Sequence, residues 1–383
     1  MAHTPVTLTN ARVVTPDGVH DGRLRVENGR VAALGPDTPS PAAPPTGEVR
    51  DLGGAWVVPG LVDTHIHGGA GHAFPDADPE GALATVAFNR RHGVTSLVGG
   101  LVAATPDDTL RQVAALAELC DAGELAGIYL EGPFIARSKC GAHDPELLRD
   151  PDTAEFDRWL EAGRGHVRMV TVAPELPGAL DLIRAAASSG VVAAVGHTEA
   201  DYERTLAAFD AGATVATHVY NAMRPLNHRD PGPIAAALND ARVTVELIMD
   251  NVHVHPGAAA LVFSSAGADR VSLVTDAMSA TGLGDGEYTL GDLRVRVSGG
   301  EARLVENGAI ASSTIVLPQA VRNTVEGLGV GVPEAVRSAS SVPAAALGLA
   351  GAGRIEVGGH ADLVVLGRDL TVADVMYRGA WVA

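Results

Sequence analysis

The sequence predicts an α/β chain: a (β/α)8 barrel of the TIM type, with a small β-sandwich domain assembled from both termini. Three observations carry this reading. Eight short apolar runs, most of them carrying a polar residue at the end, alternate with helix-like segments through the middle of the chain. Those segments open on acidic turns and stop at glycine. The two ends show shorter strand-like runs broken by turns.

Residues 1–57 read as the first part of the β domain, in "VTLTNARVVTPDG" and "GRLRVENGRVAALG", interrupted by the proline-rich "PDTPSPAAPPTG". The barrel is expected over residues 58–349. Its runs are "WVVPGLVDTHIH", "VTSLVGG", "AGIYLEGPF", "VRMVTVAPE", "VVAAVGHT", "ATVATHVYNAM", "VTVELIMDNVH" and "VSLVTDAMS". Parallel strands covered on both faces read as such unbroken apolar stretches. Segments such as "DPEGALATVAFNRRHG" and "TPDDTLRQVAALAELCDAG" supply the intervening helices. A strand-like insertion at about 284–311, "EYTLGDLRVRVSGGEARLVENG", follows the eighth run. Residues 350–383 resume the opening style in "HADLVVLGRDLTVADVMYRGAWV", so the termini are expected to pair.

Composition narrows the function classes. With 46% apolar residues, the 383-residue chain can bury a large core, and a net charge of −18 argues against nucleic acid or an anionic membrane as partner. Two cysteines, Cys120 and Cys140, make no disulfide framework and suit a reducing cytoplasm. The start "MAHTPVTLTNARVV" has no basic stretch followed by an apolar one, and no apolar run approaches the roughly 18 residues of a membrane span. A cytoplasmic enzyme is expected. Lys139 is the sole lysine.

Barrel enzymes carry their chemistry at the C-terminal ends of the strands. Here those ends hold His65 and His67, Glu131, Glu175, His197, His218, Asp250 with His253, and Asp276. Taken singly, each has a plain structural explanation: a helix cap for Glu131, a turn for Asp276, a loop residue for any histidine. Glu175 reads as structural. Jointly, imidazoles and carboxylates converging on one mouth form the ligand set that zinc and similar divalent ions take.

The motifs then resemble a known group. "PGLVDTHIHGG" with later strand-end histidines and an aspartate resembles the amidohydrolase superfamily. Within it, "LEGPF", "KCGAHDPELLR", "VGHTEA", "THVYNAMRPLNHRDPG", "MDNVHVHP" and "VTDAMSATG" resemble the N-acetylglucosamine-6-phosphate deacetylase family over nearly the whole length. The resemblance implies metal-dependent hydrolysis of an N-acetyl group on a phosphorylated amino sugar, by a homodimer. It implies Glu131, His197 and His218 as metal ligands, with His65 and His67 available for a second ion, so that one or two Zn2+ ions are expected per subunit. It implies Asp276 as the catalytic acid/base and His143 as the group steadying the carbonyl oxygen. Ala142, His143, Asn221, Ala222, Arg229 and His253 correspond to substrate contacts, together with Ile310, Ala311 and Ser312. Arg229 is the expected phosphate ligand, in its own subunit or across a dimer interface. Two departures touch the sugar-binding loops: Asn251 stands where the family usually has glycine, and "IASS" at 310–313 replaces "LAGS". Another amidohydrolase chemistry, on a different N-acyl sugar, a cyclic amide or a nucleobase, is the alternative. An aromatic clamp for a ring substrate is not obvious with aromatics at only 4%. Lys139, in a glycine-flanked loop, is not placed to serve as a carboxylated lysine bridging two metals.

Overall fold

In the computed structural model, which describes residues 4–36, 47–291 and 293–383, the eight runs form one parallel sheet rolled around an axis. Its strands are Leu61–Ile66, Val94–Leu101, Gly127–Glu131, Val167–Val172, Val192–Val195, Ala213–Ala216, Thr244–Ile248 and Val271–Val274. Neighbours in sequence are neighbours in the sheet throughout. The first, third and eighth strands are buried at every residue, as strands covered on both faces must be.

Closure between the eighth and first strands comes at their C-terminal ends. Asp276 N–H donates to His65 O at 2.8 Å, while His67 and Gly68 N–H donate to Ala277 O at 2.8 and 2.9 Å. The Thr275 hydroxyl adds a 2.6 Å bond to the Asp63 carboxyl. The barrel's seam and its mouth therefore share residues.

The interior is stratified. Val98, Tyr129, Met169, Ala194, Val215 and Leu347 form an apolar plug, with Leu347 entering from beyond the last helices. Above it the lining turns polar: Tyr129 Oη lies 2.7 Å from Thr171 Oγ1, which lies 2.8 Å from Thr217 Oγ1. A buried hydroxyl needs a partner, and the three satisfy one another.

Helices cover the outside. Asp78 caps Pro79–Arg91 through the N–H groups of Glu80 and Gly81, and Thr105 caps Pro106–Asp121 through Asp108 N–H. Each has proline in its first turn, where no intrahelical donor is lost, and such caps contribute about 1 kcal/mol. Pro106–Asp121 buries Val113, Leu116, Ala117 and Cys120; Leu116→Ala would cost roughly 2–5 kcal/mol. The loop after the third strand is anchored by Phe134, which stacks on Trp159 of helix Thr153–Gly163 at 5.0 Å.

The termini build one branched, eight-stranded sheet. Strand Val6–Thr15 lies parallel to Glu48–Asp51 along Val6–Thr9 and to Trp56–Pro59 along Arg12–Val13. An irregularity between Leu8 and Ala11, with Asn10 at φ +51°, separates the two pairings. A strand that changes partners at a bulge makes the corner of a folded-over sheet. Leu8, Val13, Leu24, Val57, Leu363 and Met376 fill the space enclosed. C-terminal strand Leu363–Leu366 pairs antiparallel with Trp56–Pro59. The run "WVVPGLVDTHIH" is thus two strands, not one: Trp56–Pro59 belongs to the terminal sheet and Leu61–Ile66 to the barrel. Gly60 separates them, packed so closely on Thr95 that a Cβ there would lie 2.0 Å from its hydroxyl. The change of sheet therefore falls at Gly60, not between residues 57 and 58. Residues 37–46 of the proline-rich stretch lie outside the described residues.

The insertion forms a three-stranded antiparallel sheet, Gly286–Leu290, Leu293–Ser298 and Glu301–Leu304. Its apolar face, with Leu290, Val295 and Leu304, packs on Met278, Ala280 and Ala311 beside the barrel mouth.

Candidate active site

Glu131, the last residue of the third strand, is the hub of the mouth. Its Oε1 lies 3.0 Å from His197 Nε2 and 2.9 Å from His218 Nε2, which are themselves 3.0 Å apart. Its Oε2 lies 2.9 Å from His67 Nε2 and 3.6 Å from His143 Nε2. His65 Nε2 approaches Oε1 at 3.4 Å, and Asp276 Oδ1 stands 3.3 Å from His67 Nε2. All of these side chains are buried.

The far nitrogens fix the rings. His197 Nδ1–H donates to Lys139 O at 2.7 Å, His67 Nδ1–H to Gly100 O at 3.2 Å, and His65 Nδ1–H to the Glu246 carboxylate at 3.0 Å. In its neutral form each ring then leaves a lone pair on Nε2 aimed into the cluster, the orientation a metal-binding histidine needs. His143 is turned the other way: its Nδ1 accepts from Ala103 N–H at 3.2 Å, so its Nε2 carries the proton. That ring is a hydrogen-bond donor to the cavity.

Buried charge sets the electrostatics. Burial disfavours an imidazolium, yet Glu131 and Glu246 hold His65 well above its ordinary value. His67, equally buried, is raised to about 9 by Asp276 and Glu131. Burial pushes His143 and His218 down, towards neutral rings. Burial also opposes charge on Glu131, but His65 and the surrounding imidazoles of His143, His197 and His218 keep its carboxyl well below the carboxylate range.

The donor set fits a divalent cation. His65, His67 and Glu131 bring ligand atoms within 4.8 Å of one another, and Nε2 of His197 and of His218 meet Glu131 Oε1 at 3.0 and 2.9 Å. Nε2 of His65 and of His67 are buried without a hydrogen-bond partner, although carboxylate oxygens are near. Lone pairs that converge without pairing suit a shared cation.

The backbone is bent to make this arrangement. His197, His218 and Asp276 hold left-handed φ values of +48°, +29° and +48°, as do Tyr220 and Ala222 at +77° and +48°. Each such residue costs about 1–3 kcal/mol. Barrel strands end here in sharp turns that swing side chains over the mouth.

A model of the amidohydrolase family matches residues 56–382. The chain belongs to the amidohydrolase family. An N-acetylgalactosamine-6-phosphate deacetylase from Escherichia coli O157:H7 is 37% identical, covering 96% of this chain and 97% of the relative. An N-acetylglucosamine-6-phosphate deacetylase from Vibrio furnissii is also 37% identical, over 86% of this chain and 83% of the relative. Among solved structures, a mutant N-acetyl-D-glucosamine-6-phosphate deacetylase from Mycobacterium smegmatis, in complex with N-acetyl-D-glucosamine-6-phosphate, aligns with a TM-score of 0.95. It is 47% identical and covers 100% of both chains.

The amidohydrolase cluster opens into a cavity of about 320 Å3. His67, Glu131, Ala142, His143, His197, His218, Asn221, Ala222, His253, Asp276, Ile310 and Ser312 line it. Ala311 is buried behind them in the insertion's core. His65 lies behind His67 and Glu131, fully buried. Arg229 is not brought to this cavity. It stands exposed on a loop whose other arginine, Arg224, pairs with Asp230. As a phosphate ligand within its own subunit Arg229 is therefore misplaced, because the loop that carries it turns towards solvent.

Both departures from the family's motifs occupy left-handed backbone. Asn251 has φ +66° and Ser312 φ +61°, which accounts for glycine as the usual residue. Asparagine tolerates that region better than most side chains. Ser312 uses its hydroxyl, donating to Asp276 Oδ1 at 3.2 Å.

Sequence reasoning missed Glu246, Asp63 and the lining residue Lys139. The first two had a signal: a carboxylate inside an otherwise apolar barrel run. Burial pushes Asp63 up to about 7, and it ties the seam through Thr275. Glu175, read as structural, accepts from Thr198 Oγ1 at 2.5 Å and from Glu199 N–H at 2.7 Å, shaping the loop after His197.

Proposed function

We propose that this amidohydrolase removes the acetyl group of N-acetyl-D-glucosamine 6-phosphate, giving acetate and D-glucosamine 6-phosphate in amino sugar catabolism. The observation that carries the reading is one cavity in which a carboxylate, an imidazole N–H donor and a histidine–glutamate cluster face each other. The relatives' activities and the ligand of the Mycobacterium smegmatis structure support the choice of substrate.

Glu131, His197 and His218 would hold one divalent cation, and His65 and His67, sharing Glu131, a second. Nitrogen and carboxylate ligands favour Zn2+. When bound, the ion supplies Lewis acidity, polarising the amide and making water acidic near neutral pH. Asp276 takes the proton from the attacking water and returns it to the departing nitrogen. The Ser312 hydroxyl holds the Asp276 oxygen that also faces His67, and His143 Nε2–H donates to the carbonyl oxygen as charge builds there. Ala142, Asn221, Ala222, His253, Ile310 and Ala311 shape the sugar's surroundings. His253 Nδ1–H is tied to Asp250 at 2.7 Å, which leaves its other nitrogen for substrate. The protein acts as a cytoplasmic homodimer in this reading, with Arg229 reaching a phosphate only from a neighbouring copy.

The Escherichia coli relative favours a second reading, with the 4-epimer N-acetylgalactosamine 6-phosphate as substrate. Acetate release from both sugar phosphates and their unphosphorylated forms tests both. The first reading expects the glucosamine phosphate to give the highest kcat/KM. A higher value for the galacto epimer would favour the second, and no acetate from either by metal-loaded protein would refute both.

A further inference from the structure

A chain of net charge −18 that takes a dianionic sugar must hold it with a specific cation. Among the described residues lining the main cavity there is no arginine, and one side chain carries a permanent positive charge: Lys139. Its side chain is 20% exposed, and Nζ lies 3.0 Å from Glu199 Oε1.

Both partners are fixed by their backbones. Lys139 closes the short turn Arg137–Lys139, its N–H bonded to Ala136 O at 2.9 Å and its carbonyl to His197 Nδ1 at 2.7 Å. Glu199 is held by Glu175 through its N–H at 2.7 Å and by Arg224 through its carbonyl at 3.2 Å. The ammonium, on a residue that lines the cavity, is thus held by the ion pair with Glu199. It has three donors, and Glu199 occupies one direction.

We propose that Lys139 is a phosphate-recognising cation of the substrate cavity, contributed by the same chain that holds the catalytic cluster, with Glu199 positioning its ammonium. The proposal rests on the reading of the substrate as a sugar phosphate. A phosphate oxygen takes the donors that Glu199 leaves, so the ion pair is extended, not broken.

The test measures equilibrium binding of D-glucosamine 6-phosphate and of glucosamine to metal-loaded wild type, Lys139→Met and Lys139→Arg by calorimetry. A charge-assisted hydrogen bond predicts about 10- to 150-fold weaker binding of the phosphorylated sugar to Lys139→Met. Lys139→Arg restores most of the affinity, and binding of glucosamine changes far less. Equal weakening for both sugars would overturn the proposal, showing that Lys139 only braces the loop behind His197. Unchanged binding of the phosphorylated sugar to Lys139→Met, or its failure to bind wild type, would also overturn it. Binding does not depend on turnover. A wild type that binds the sugar phosphate through Lys139 yet releases no acetate would refute the deacetylase reading and leave this one standing.

Discussion

The two sides of the Glu131 hub are built from the same residue types and behave differently. On one side His65 and His67 face Glu131, Asp276 and Glu246, and both rings are driven towards the charged form. On the other, His197 and His218 share the single Oε1 of Glu131, and burial leaves His218 depressed. The histidines are alike; the number of carboxylates around them is not. An acid-rich pocket recruits positive charge, as protons or as a metal ion, whereas on the acid-poor side burial pushes His218 towards the neutral ring that can ligate. Two electrostatically distinct pockets therefore share one carboxylate.

The largest expected effect lies in the acid-rich side. Asp276→Asn keeps the shape but removes the proton acceptor, so turnover should fall on the order of 10²-fold or more while the Glu131–His197–His218 ion stays bound. Steady-state rates alongside metal analysis check this; near-normal turnover would refute the role of Asp276.

A second measurement asks whether the sides fill independently. The double change His65→Ala with His67→Ala should lower metal stoichiometry from two towards one. Elemental analysis that finds the same single ion in both proteins would make the acid-rich side a protonated structural pair.

The smallest effect is at the rim, where a single acid–imidazole pair stands apart from the hub. Burial disfavours the His253 imidazolium, but Asp250 raises its pKa above 6.5. A raised folded-state value means that this stabilisation is full below pH 6.5 and fades as pH rises through the folded value. Asp250→Asn should therefore lower Tm by a few degrees at pH 6 and by less at pH 9. Equal losses at both would attribute the effect to the Asp250 bonds with the Val252 and His253 N–H groups instead.

Much of this was legible from spacing alone. Doubly covered strands are mostly apolar, so a polar residue at the end of a run stands out, and Glu131, His197, His218 and Asp276 fall where a barrel mouth would gather them. What was not legible depended on direction. Nothing in "NHRDPG" says that Arg229 faces solvent, and nothing in "SKCGAH" says that Lys139 borders the cavity. Glu246 was hidden for another reason: inside an apolar strand a carboxylate reads as a misplaced residue until its partner, His65, is known from 3.0 Å away. The two-strand character of "WVVPGLVDTHIH" was masked because both pieces are buried and only the packing of Gly60 on Thr95 divides them.

The seam has a consequence for how activity arises during folding. Its Thr275–Asp63 bond joins residues 212 apart in sequence, so the first barrel strand leaves the ribosome long before its last neighbour exists. Contacts of such long range carry a large closure entropy and form late. His65 and Asp276 meet only through that final joint, and a nascent or half-open chain has no complete catalytic centre. Hydrolysis of amides is thus withheld until the ring is shut, and the appearance of activity in a refolding experiment would time the closing of the barrel.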